Sequence, residues 1–302
     1  MATSHADRYS WRSEDPTRHL NQGIREVNRP NFFIIGAPKC GTTSLARYLG
    51  GHPQVFITTP KEPCYFSRSL TVDRLQRRSK AWDRDLDGYL HLFDRAKEQH
   101  RLRGDATTRN LRCEAALLEI RALVPDARLI VMLRDPAEMV PSWHAQKLHE
   151  RQEVEGDLEK AWRLEESRRR GENLPPRLKA TDALQYSQVA RLGTQVERLL
   201  EICPGEQVHT IFMDDLRHDP RSVYLRTLEF LGLSDDGRQD FEVHNKRRNS
   251  QGGILSAFGF RKPRPESTIS PQFEDELRRY FVGEVEKLER ILGRDLQSWK
   301  PR

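Results

Sequence analysis

Cysteine is scarce in this sequence, and the cysteines present are poorly placed for metal binding. The 302 residues include four cysteines, which are scattered along the chain and lack the short paired spacings of a metal site. Unpaired thiols are typical of proteins in a reducing compartment. We therefore expect a cytoplasmic protein without a bound metal, and we expect free thiols at Cys40, Cys64, Cys113 and Cys203.

Long apolar runs are missing as well. No run approaches the length that a membrane-spanning helix needs. The first 29 residues are polar and lack the apolar core of a signal peptide. We therefore expect no transmembrane segment, and we interpret residues 1–29 as a polar N-terminal extension. The oligomeric state does not follow from the sequence.

Apolar residues make up only 36% of the chain, whereas 32% of its residues are charged. A chain of this length nevertheless suffices to bury a sizeable core as one α/β domain, although length alone also permits two. The net charge of +6 favours anionic ligands. The basic clusters at 168–170 and 246–248 lack the interleaved aromatic residues of nucleic-acid-binding motifs. We expect no nucleic-acid partner, and we interpret the first cluster as a solvated helix face.

The most informative stretch is an apolar run that breaks after residue 35 into a short turn containing Gly, Pro and Lys. Hydroxyl residues then open a predicted helix. A strand, a tight loop and a helix N-terminus together form a phosphate cradle, because N–H groups and the helix dipole point at the anion. Glycine permits close backbone approach, and lysine and hydroxyl groups add charge and donors. The predicted phosphate-binding residues are Lys39, Cys40, Gly41, Thr42, Thr43 and Ser44.

The spacing separates this loop from a Walker loop, in which Gly-Lys-Ser/Thr follows a first glycine and four residues. Gly36 and Gly41 have the Walker separation, but Thr42 stands in the lysine position and Lys39 lies between the glycines. The run Pro-Lys-Cys-Gly-Thr-Thr resembles the 5′-phosphosulfate loop of sulfotransferases. That resemblance implies 3′-phosphoadenosine 5′-phosphosulfate (PAPS) as sulfonyl donor. A buried strand with an ordinary glycine turn is the alternative.

A second motif follows another apolar run, at residues 127–133, which is typical of a central parallel strand. The run ends in Arg-Asp-Pro, with Ser142 about two helical turns beyond Arg134. Ligands of open α/β sheets bind at the carboxyl ends of strands, and arginine offers paired donors to phosphate. The pattern resembles the 3′-phosphate site of the same family, which implies that role for Arg134 and Ser142. A surface Arg–Asp pair before a helix-entry proline is the alternative.

The third motif, Lys-Glu-x-x-aromatic-Phe at residues 61–66, closely matches the segment that carries the catalytic glutamate in carbohydrate sulfotransferases of the heparan sulfate type. The resemblance implies Glu62 as general base, since an acceptor hydroxyl must lose its proton as the sulfonyl group arrives. Lys61 is predicted to tune Glu62 or to bind the acceptor. A solvated Lys–Glu pair is the alternative, and His52 and His144 are the other candidate bases.

Weaker matches continue to the end of the chain, so the resemblance spans residues 30–300. Residues 104–108, Gly-Asp-Ala-Thr-Thr, fall where relatives have Gly-Glu-x-Ser/Thr-Pro. We predict that Asp105 in this segment binds the acceptor, together with Tyr186. Tyr186 opens a stretch with helical apolar spacing that continues to residue 200. A core position for Tyr186 is the alternative.

Two segments are predicted to cover the cleft. Residues 150–181 are very highly charged, too polar for the core, and broken by a Pro-Pro pair, so we expect helices and a loop over the acceptor side. Residues 244–265 are rich in Gly, Pro, Arg and Lys. Relatives have a basic loop here that closes over the nucleotide, which implies a contact with the 3′-phosphate by Asn245, Arg247 or Arg248.

The chain departs from the heparan sulfate type at three positions. Those enzymes have a lysine that helps to orient acceptor and base where this chain has Ala106, and a proline where it has Thr108. Arg109 stands where an aromatic residue is usual. The departures argue against a heparan-like polysaccharide and leave a small molecule, a lipid or another carbohydrate open as acceptor.

Together the motifs predict an α/β fold, a parallel β-sheet flanked by helices like that of P-loop nucleotide kinases, in one sulfotransferase domain over residues 30–300. The predicted reaction is in-line transfer of a sulfonyl group from PAPS to an acceptor hydroxyl or amine, in which Lys39 stabilises the departing phosphate. No metal is expected, because cationic side chains and N–H groups take the part that magnesium plays for ATP. The alternatives are a nucleoside or nucleotide kinase, with Asp135 as a metal ligand, and a non-catalytic nucleotide-binding protein.

Overall fold

The computed structural model of the chain describes residues 29–71, 85–180, 182–241 and 269–301. Nearly all of the N-terminal extension lies outside the described residues, and so does the basic loop with Arg247 and Arg248. The predictions made for these two segments stay predictions.

Five parallel strands form one sheet in the described part of the chain, in the order β2-β3-β1-β4-β5. The strands are β1 (Phe32–Gly36), β2 (Val55–Ile57), β3 (Leu102–Asp105), β4 (Arg128–Leu133) and β5 (Val208–Phe212). β1 is buried along its whole length and β4 beyond its first residue, as expected for strands covered on both faces. The predicted fold class is therefore confirmed.

Helices fill the crossovers between the strands and cover both faces of the sheet. In the described ranges they are α1 (Thr42–Gly50), α2 (Leu86–Leu90), α3 (Glu114–Leu123), α4 (Pro136–His149), α5 (Leu158–Arg163), α6 (Glu165–Arg169), α7 (Tyr186–Val189), α8 (Leu192–Ile202), α9 (Met213–His218), α10 (Pro220–Phe230) and α11 (Pro271–Leu292). Short 3₁₀ turns occur at Arg68–Leu70, His91–Phe93, Gly205–Gln207 and Gln297–Trp299.

The helix after β4 begins where local sequence signals place it. The Asp135 side chain accepts a hydrogen bond of 2.8 Å from the Ala137 N–H, and Pro136 occupies the first helical position. The last helix, α11, ends at Gly293, whose φ of 62° is the left-handed conformation that favours glycine. The start of α4 and the end of α11 therefore both follow from residue types that are visible in the sequence.

The predicted helix over residues 186–200 is instead two helices, α7 and α8. The chain turns between them, and the Leu192 N–H bonds to the carbonyl of Ala190 at 2.8 Å. The Gln195 side chain then donates to the carbonyls of Gln188 and Val189, at 3.0 and 3.2 Å. These bonds satisfy carbonyls that α7 leaves open at its end, so the break is stable although the apolar spacing continues.

The segment 150–181 contributes to the core, which contradicts the expectation from its charge. Glu153 and Arg168 are almost fully buried and form a paired ion contact, with both N–O distances 2.8 Å. Tyr186 donates a third hydrogen bond to Glu153, at 2.6 Å. The interpretation of Arg168 as part of a solvated face is therefore wrong. Composition counts charges but not their pairing, and a paired charge tolerates burial.

The longest helix, α11, packs against α8 and α4 through its apolar side. The crossing with α8 depends on Gly193, because a Cβ there would lie 2.3 Å from the main-chain oxygen of Glu284. Among the helices that the structure describes, none is both long enough and apolar enough to cross a membrane.

Candidate active site

The three motifs meet at the carboxyl edge of the sheet. Glu62 follows β2, Thr108 follows β3, Lys39 follows β1 and Arg134 follows β4, and these four strands are consecutive neighbours in the sheet. Open α/β sheets bind ligands at such an edge. The strand order therefore puts the candidate base on one side of Lys39 and the candidate 3′-phosphate residue on the other.

The loop between β1 and α1 has the backbone geometry of an anion cradle. Lys39 and Gly41 have φ values of 65° and 88°, in the left-handed region. The Gly41 carbonyl accepts the N–H groups of Ser44 and Leu45, at 2.9 and 3.1 Å. The N–H groups that precede them at the start of α1 have no intrahelical acceptor, which suits an anion.

Packing also restricts this loop. A Cβ on Gly41 would lie 3.0 Å from the Leu216 side chain and 3.2 Å from the Met213 sulfur. Cys40 is fully buried, and burial raises the pKa of its thiol to about 12. Cys40 is therefore a core residue whose side chain does not reach a ligand. Of the predicted phosphate-binding residues, Thr42 and Ser44 are also buried.

Arg134 connects the second motif to the donor loop. Its Nη1 donates to the Lys39 carbonyl at 3.3 Å, and its Nε and Nη2 donate to Glu138 Oε2 at 3.1 and 2.8 Å. Both terminal nitrogens of Arg217 lie 3.2 Å from the same oxygen. Burial raises the pKa of Glu138, but the two guanidinium groups outweigh it and hold that pKa below its ordinary value. Ser142 lies half-buried on α4, the helix that follows Arg134, and its predicted role stays a prediction.

Asp135, the metal ligand of the kinase alternative, is already engaged. It caps α4, and its Oδ2 accepts a hydrogen bond of 2.8 Å from Arg278 Nη1. Only 4% of the residue is exposed. Asp135 therefore joins α4 to α11, and this structural role argues against the kinase assignment.

Glu62 offers an accessible carboxylate at the end of β2. Its Oε1 accepts hydrogen bonds from Lys61 Nζ at 2.9 Å and from Thr108 Oγ1 at 3.3 Å, and 37% of its side chain is exposed. Its backbone φ of 61° is unusual for a residue with a side chain. Backbone strain of this kind gathers at functional sites, which favours a functional role over a solvated Lys–Glu pair.

The two histidines that could replace Glu62 as base have structural partners. His52 Nε2 lies 3.1 Å from the Ser234 carbonyl, and its Nδ1 accepts the Gln54 N–H at 3.1 Å. His144 is fully buried, its Nε2 lies 2.9 Å from the Glu155 carbonyl, and burial lowers its pKa. Neither imidazole is exposed to an acceptor, so Glu62 is the stronger candidate.

Asp105 and Tyr186 lie inside the protein, which does not support contact between their side chains and the acceptor. Asp105 accepts hydrogen bonds from Tyr89 at 2.9 Å and Thr107 at 2.6 Å, and burial raises its pKa to about 6. Tyr186 is fully buried against Glu153, in the core position that was the alternative. A short sequence motif does not show whether a side chain is buried. The sequence alone therefore did not show that Asp105 and Tyr186 lie in the core.

Sequence reasoning also missed a direct partner of Glu62 and two basic side chains in the same region. Thr108 donates a hydrogen bond to the Glu62 carboxylate, whereas the sequence marked Thr108 only as a departure from the family pattern. Arg109 Nη2 donates to the Ser67 carbonyl and the Thr71 hydroxyl, each at 3.3 Å. Lys147 lies 3.9 Å above the ring of Trp143 and is almost fully buried. The contacts of Thr108 and Arg109 reach residues 38 to 46 positions away in the chain, so no local pattern predicts them.

Known proteins resemble this chain in sequence and in fold. The sulfotransferase domain family matches residues 29–251. A crystal structure of a sulfotransferase from Alicyclobacillus acidocaldarius superposes with a TM-score of 0.73 at 29% identity and covers 90% of this chain and 98% of its own.

Curated relatives extend the comparison. Human carbohydrate sulfotransferase 15 is 36% identical over 149 residues, which are 37% of this chain and 26% of the human protein. Human bifunctional heparan sulfate N-deacetylase/N-sulfotransferase 3 is 25% identical over 94% of this chain and 33% of its own length. The chain thus spans a third or less of these two relatives. Because the family match covers most of the chain and the fold agrees with that of a solved sulfotransferase, this protein belongs to the sulfotransferase family.

Proposed function

We propose that this sulfotransferase uses PAPS as its donor and transfers the sulfonyl group to an acceptor hydroxyl. The observation that carries the proposal is the order of side chains along the carboxyl edge. Glu62 lies on one side of the loop that contains Lys39, and Arg134 contacts the loop from the other side. A base, an anion cradle and a second cationic site follow one another as this transfer requires.

The residues present suit a ligand with several negative charges. N–H groups at the start of α1 lack intrahelical acceptors, and Lys39 adds a positive charge beside them. In the second site, one oxygen of Glu138 bridges the guanidinium groups of Arg134 and Arg217. Both sites therefore accept anionic oxygen atoms, and bound PAPS supplies the sulfonyl group and the leaving phosphate.

In the proposed step, Glu62 takes the proton of the acceptor hydroxyl while that oxygen bonds to sulfur and the bond from sulfur to the phosphate oxygen breaks. Lys39 stabilises the charge that develops on the departing phosphate. Loop N–H groups with Thr42 and Thr43 hold the 5′-phosphate, and Arg134 and Ser142 hold the 3′-phosphate. Catalysis rests on positioning and electrostatics, with the positive charge supplied by side chains and N–H groups instead of a metal.

A carbohydrate hydroxyl is the acceptor class that we propose to test first. Human carbohydrate sulfotransferase 15 and mouse heparan sulfate glucosamine 3-O-sulfotransferase 3A1, which is 25% identical over 91% of this chain, are named for carbohydrate acceptors. Small-molecule and lipid hydroxyls follow, because Ala106 and Arg109 depart from the heparan-type pattern. The four free cysteines support the proposed cytoplasmic location.

Calorimetry with 3′-phosphoadenosine 5′-phosphate in EDTA tests the donor assignment. We expect binding without magnesium, and weaker binding of ADP, which lacks the 3′-phosphate. Binding of ATP only in the presence of magnesium, with no binding of the 3′-phosphorylated nucleotide, would contradict the proposal and favour a kinase.

An acceptor panel then tests transfer itself. PAPS is incubated with neutral and anionic mono- and disaccharides, phenols and hydroxylated lipids, and sulfated product is detected by mass spectrometry. We expect a product of hydroxyl sulfation from at least one class. Tight nucleotide binding without transfer to any class would support the non-catalytic alternative.

A further inference from the structure

One oxygen of Glu62 carries all the hydrogen bonds that its carboxylate receives from the described residues. Lys61 Nζ and Thr108 Oγ1 both contact Oε1, at 2.9 and 3.3 Å. Oε2 receives none from that part of the chain, and the side chain is more than one third exposed. The two oxygens of this carboxylate are therefore in different environments.

Thr108 is well held for contact with a catalytic group. It is 5% exposed, and it follows a turn in which Thr107 donates to buried Asp105 at 2.6 Å. A Cβ on Gly36 would lie 2.6 Å from Leu111 Cβ and 3.2 Å from the Thr108 carbonyl, so the absence of a side chain there lets residues 108–111 pack against the end of β1. Thr108 thus connects the strand that enters the donor loop to the carboxylate of Glu62.

We propose that Thr108 is a positioning residue, which holds Oε1 of Glu62 and so presents Oε2 to the proton of the acceptor hydroxyl. The inference rests on the proposed role of Glu62 as base. Thr108 forms no bond to substrate. Its hydroxyl restricts rotation of the carboxylate, which otherwise has only the flexible Lys61 ammonium as a described partner.

Variants of matched shape separate this role from packing. Thr108→Val keeps the branched shape and removes the hydroxyl, whereas Thr108→Ser keeps the hydroxyl. Because a hydrogen bond to a charged group is lost, we expect Thr108→Val to lower kcat about tenfold, with PAPS affinity unchanged, and Thr108→Ser to restore most of the rate. The assay uses the best saccharide or phenol of the acceptor panel.

A double-mutant cycle identifies the group through which Thr108 acts. We expect Thr108→Val to slow the wild-type enzyme but to have no further effect in the Glu62→Gln background. A crystal structure of Thr108→Val should show the Glu62 carboxylate rotated away from its present position, and Thr108→Ser should keep it. Thr108→Ala provides a second hydroxyl-free variant in case valine disturbs the packing.

The outcomes distinguish this inference from the proposed function. If Glu62→Gln is slow but Thr108→Val and Thr108→Ala turn over normally, or if the two changes are additive, Thr108 does not position the base. If Glu62→Gln turns over at the wild-type rate, the base assignment itself is wrong, and the inference is lost with it.

Discussion

Lys39 is the single side chain on which the donor loop depends most. Lys39 lies between the end of β1 and the start of α1 and has a left-handed backbone conformation. Arg134 donates a hydrogen bond to its main-chain carbonyl. In the proposed mechanism, the charge of Lys39 faces the negative charge that develops on the leaving group. The neighbouring Cys40 side chain is buried in the core and carries no positive charge, so it cannot take over that task.

We predict that Lys39→Ala lowers kcat at least a hundredfold, the scale expected when one preorganised electrostatic contact to the transition state is removed. Single-turnover kinetics with the best acceptor measures the change. Lys160→Ala, which changes an exposed lysine of α5, is the matched control, and its turnover rate should equal that of the wild-type enzyme. Near-normal turnover of Lys39→Ala would remove Lys39 from the mechanism.

Arg134 and Ser142 are predicted to recognise the 3′-phosphate. Arg134→Ala and Ser142→Ala should each weaken binding of 3′-phosphoadenosine 5′-phosphate, by about tenfold or more for the arginine, because a charge-assisted hydrogen bond is lost. Binding of adenosine 5′-phosphosulfate, which lacks the 3′-phosphate, should change little. Calorimetry with both nucleotides tests this. Equal losses for the two would mean that the 3′-phosphate binds elsewhere.

Glu138 competes for the same arginine. Its Oε2 lies 2.8 Å from Arg134 Nη2, so a phosphate that binds Arg134 must displace or share that carboxylate. We predict that Glu138→Gln binds 3′-phosphoadenosine 5′-phosphate severalfold more tightly, consistent with the modest energy of exposed ion pairs. The gain should vanish for adenosine 5′-phosphosulfate. Weaker binding of both nucleotides would indicate that Glu138 instead orients the arginine for the ligand.

At the scale of single residues, the sequence was enough to identify the motif residues but not to show which of them are buried. Lys39, Glu62 and Arg134 lie in short contiguous patterns, so a sequence is enough to find them. Asp105 also lies in such a pattern, yet its carboxylate is enclosed by Tyr89 and Thr107. The contact from Thr108 to Glu62 joins segments 46 residues apart, which only the folded sheet brings together.

At the scale of elements, the charged cap of residues 150–181 is joined to the core by an ion pair. Burial raises the pKa of Glu153, but hydrogen bonds from Tyr186 and Arg168 outweigh it, and the pKa lies below its ordinary value. A depressed carboxylate pKa stabilises the fold above the pKa of the unfolded chain. That contribution is lost as pH falls through the lower pKa of the folded state.

We predict that Arg168→Met destabilises the protein by about 3–5 kcal/mol, because it leaves the charge of Glu153 buried without its cationic partner. Arg170→Met changes a nearby arginine that is exposed and should leave the urea midpoint unchanged. Equilibrium urea unfolding of both variants at neutral pH measures the difference. Equal midpoints for the two variants would show that the buried pair contributes nothing.

Elements with strong periodicity could be predicted, and breaks within them could not. The apolar runs that became β1 and β4 were both visible in the sequence. The division of residues 186–200 into two helices depends on Gln195, whose side chain bonds back to carbonyls of α7. Apolar spacing does not report such a polar contact.

At the scale of the whole molecule, the sheet order determines what the site is able to do. Each motif is separate in the chain, and parallel pairing of β2, β3, β1 and β4 aligns their carboxyl ends along one edge. Strand order is set by long-range packing, so no single motif predicts it. The resemblance of the whole chain to sulfotransferases did predict the α/β fold.

The central claim is that this edge transfers a sulfonyl group from PAPS with Glu62 as base and without a metal. The most direct measurement is single-turnover transfer in EDTA by the wild-type enzyme and by Glu62→Gln, together with the PAPS affinity of each. We predict wild-type transfer in EDTA, unchanged donor affinity in the variant, and a variant rate lower by roughly 10² to 10⁴. Equal rates for the two proteins, or transfer that stops when EDTA is added, would contradict the claim.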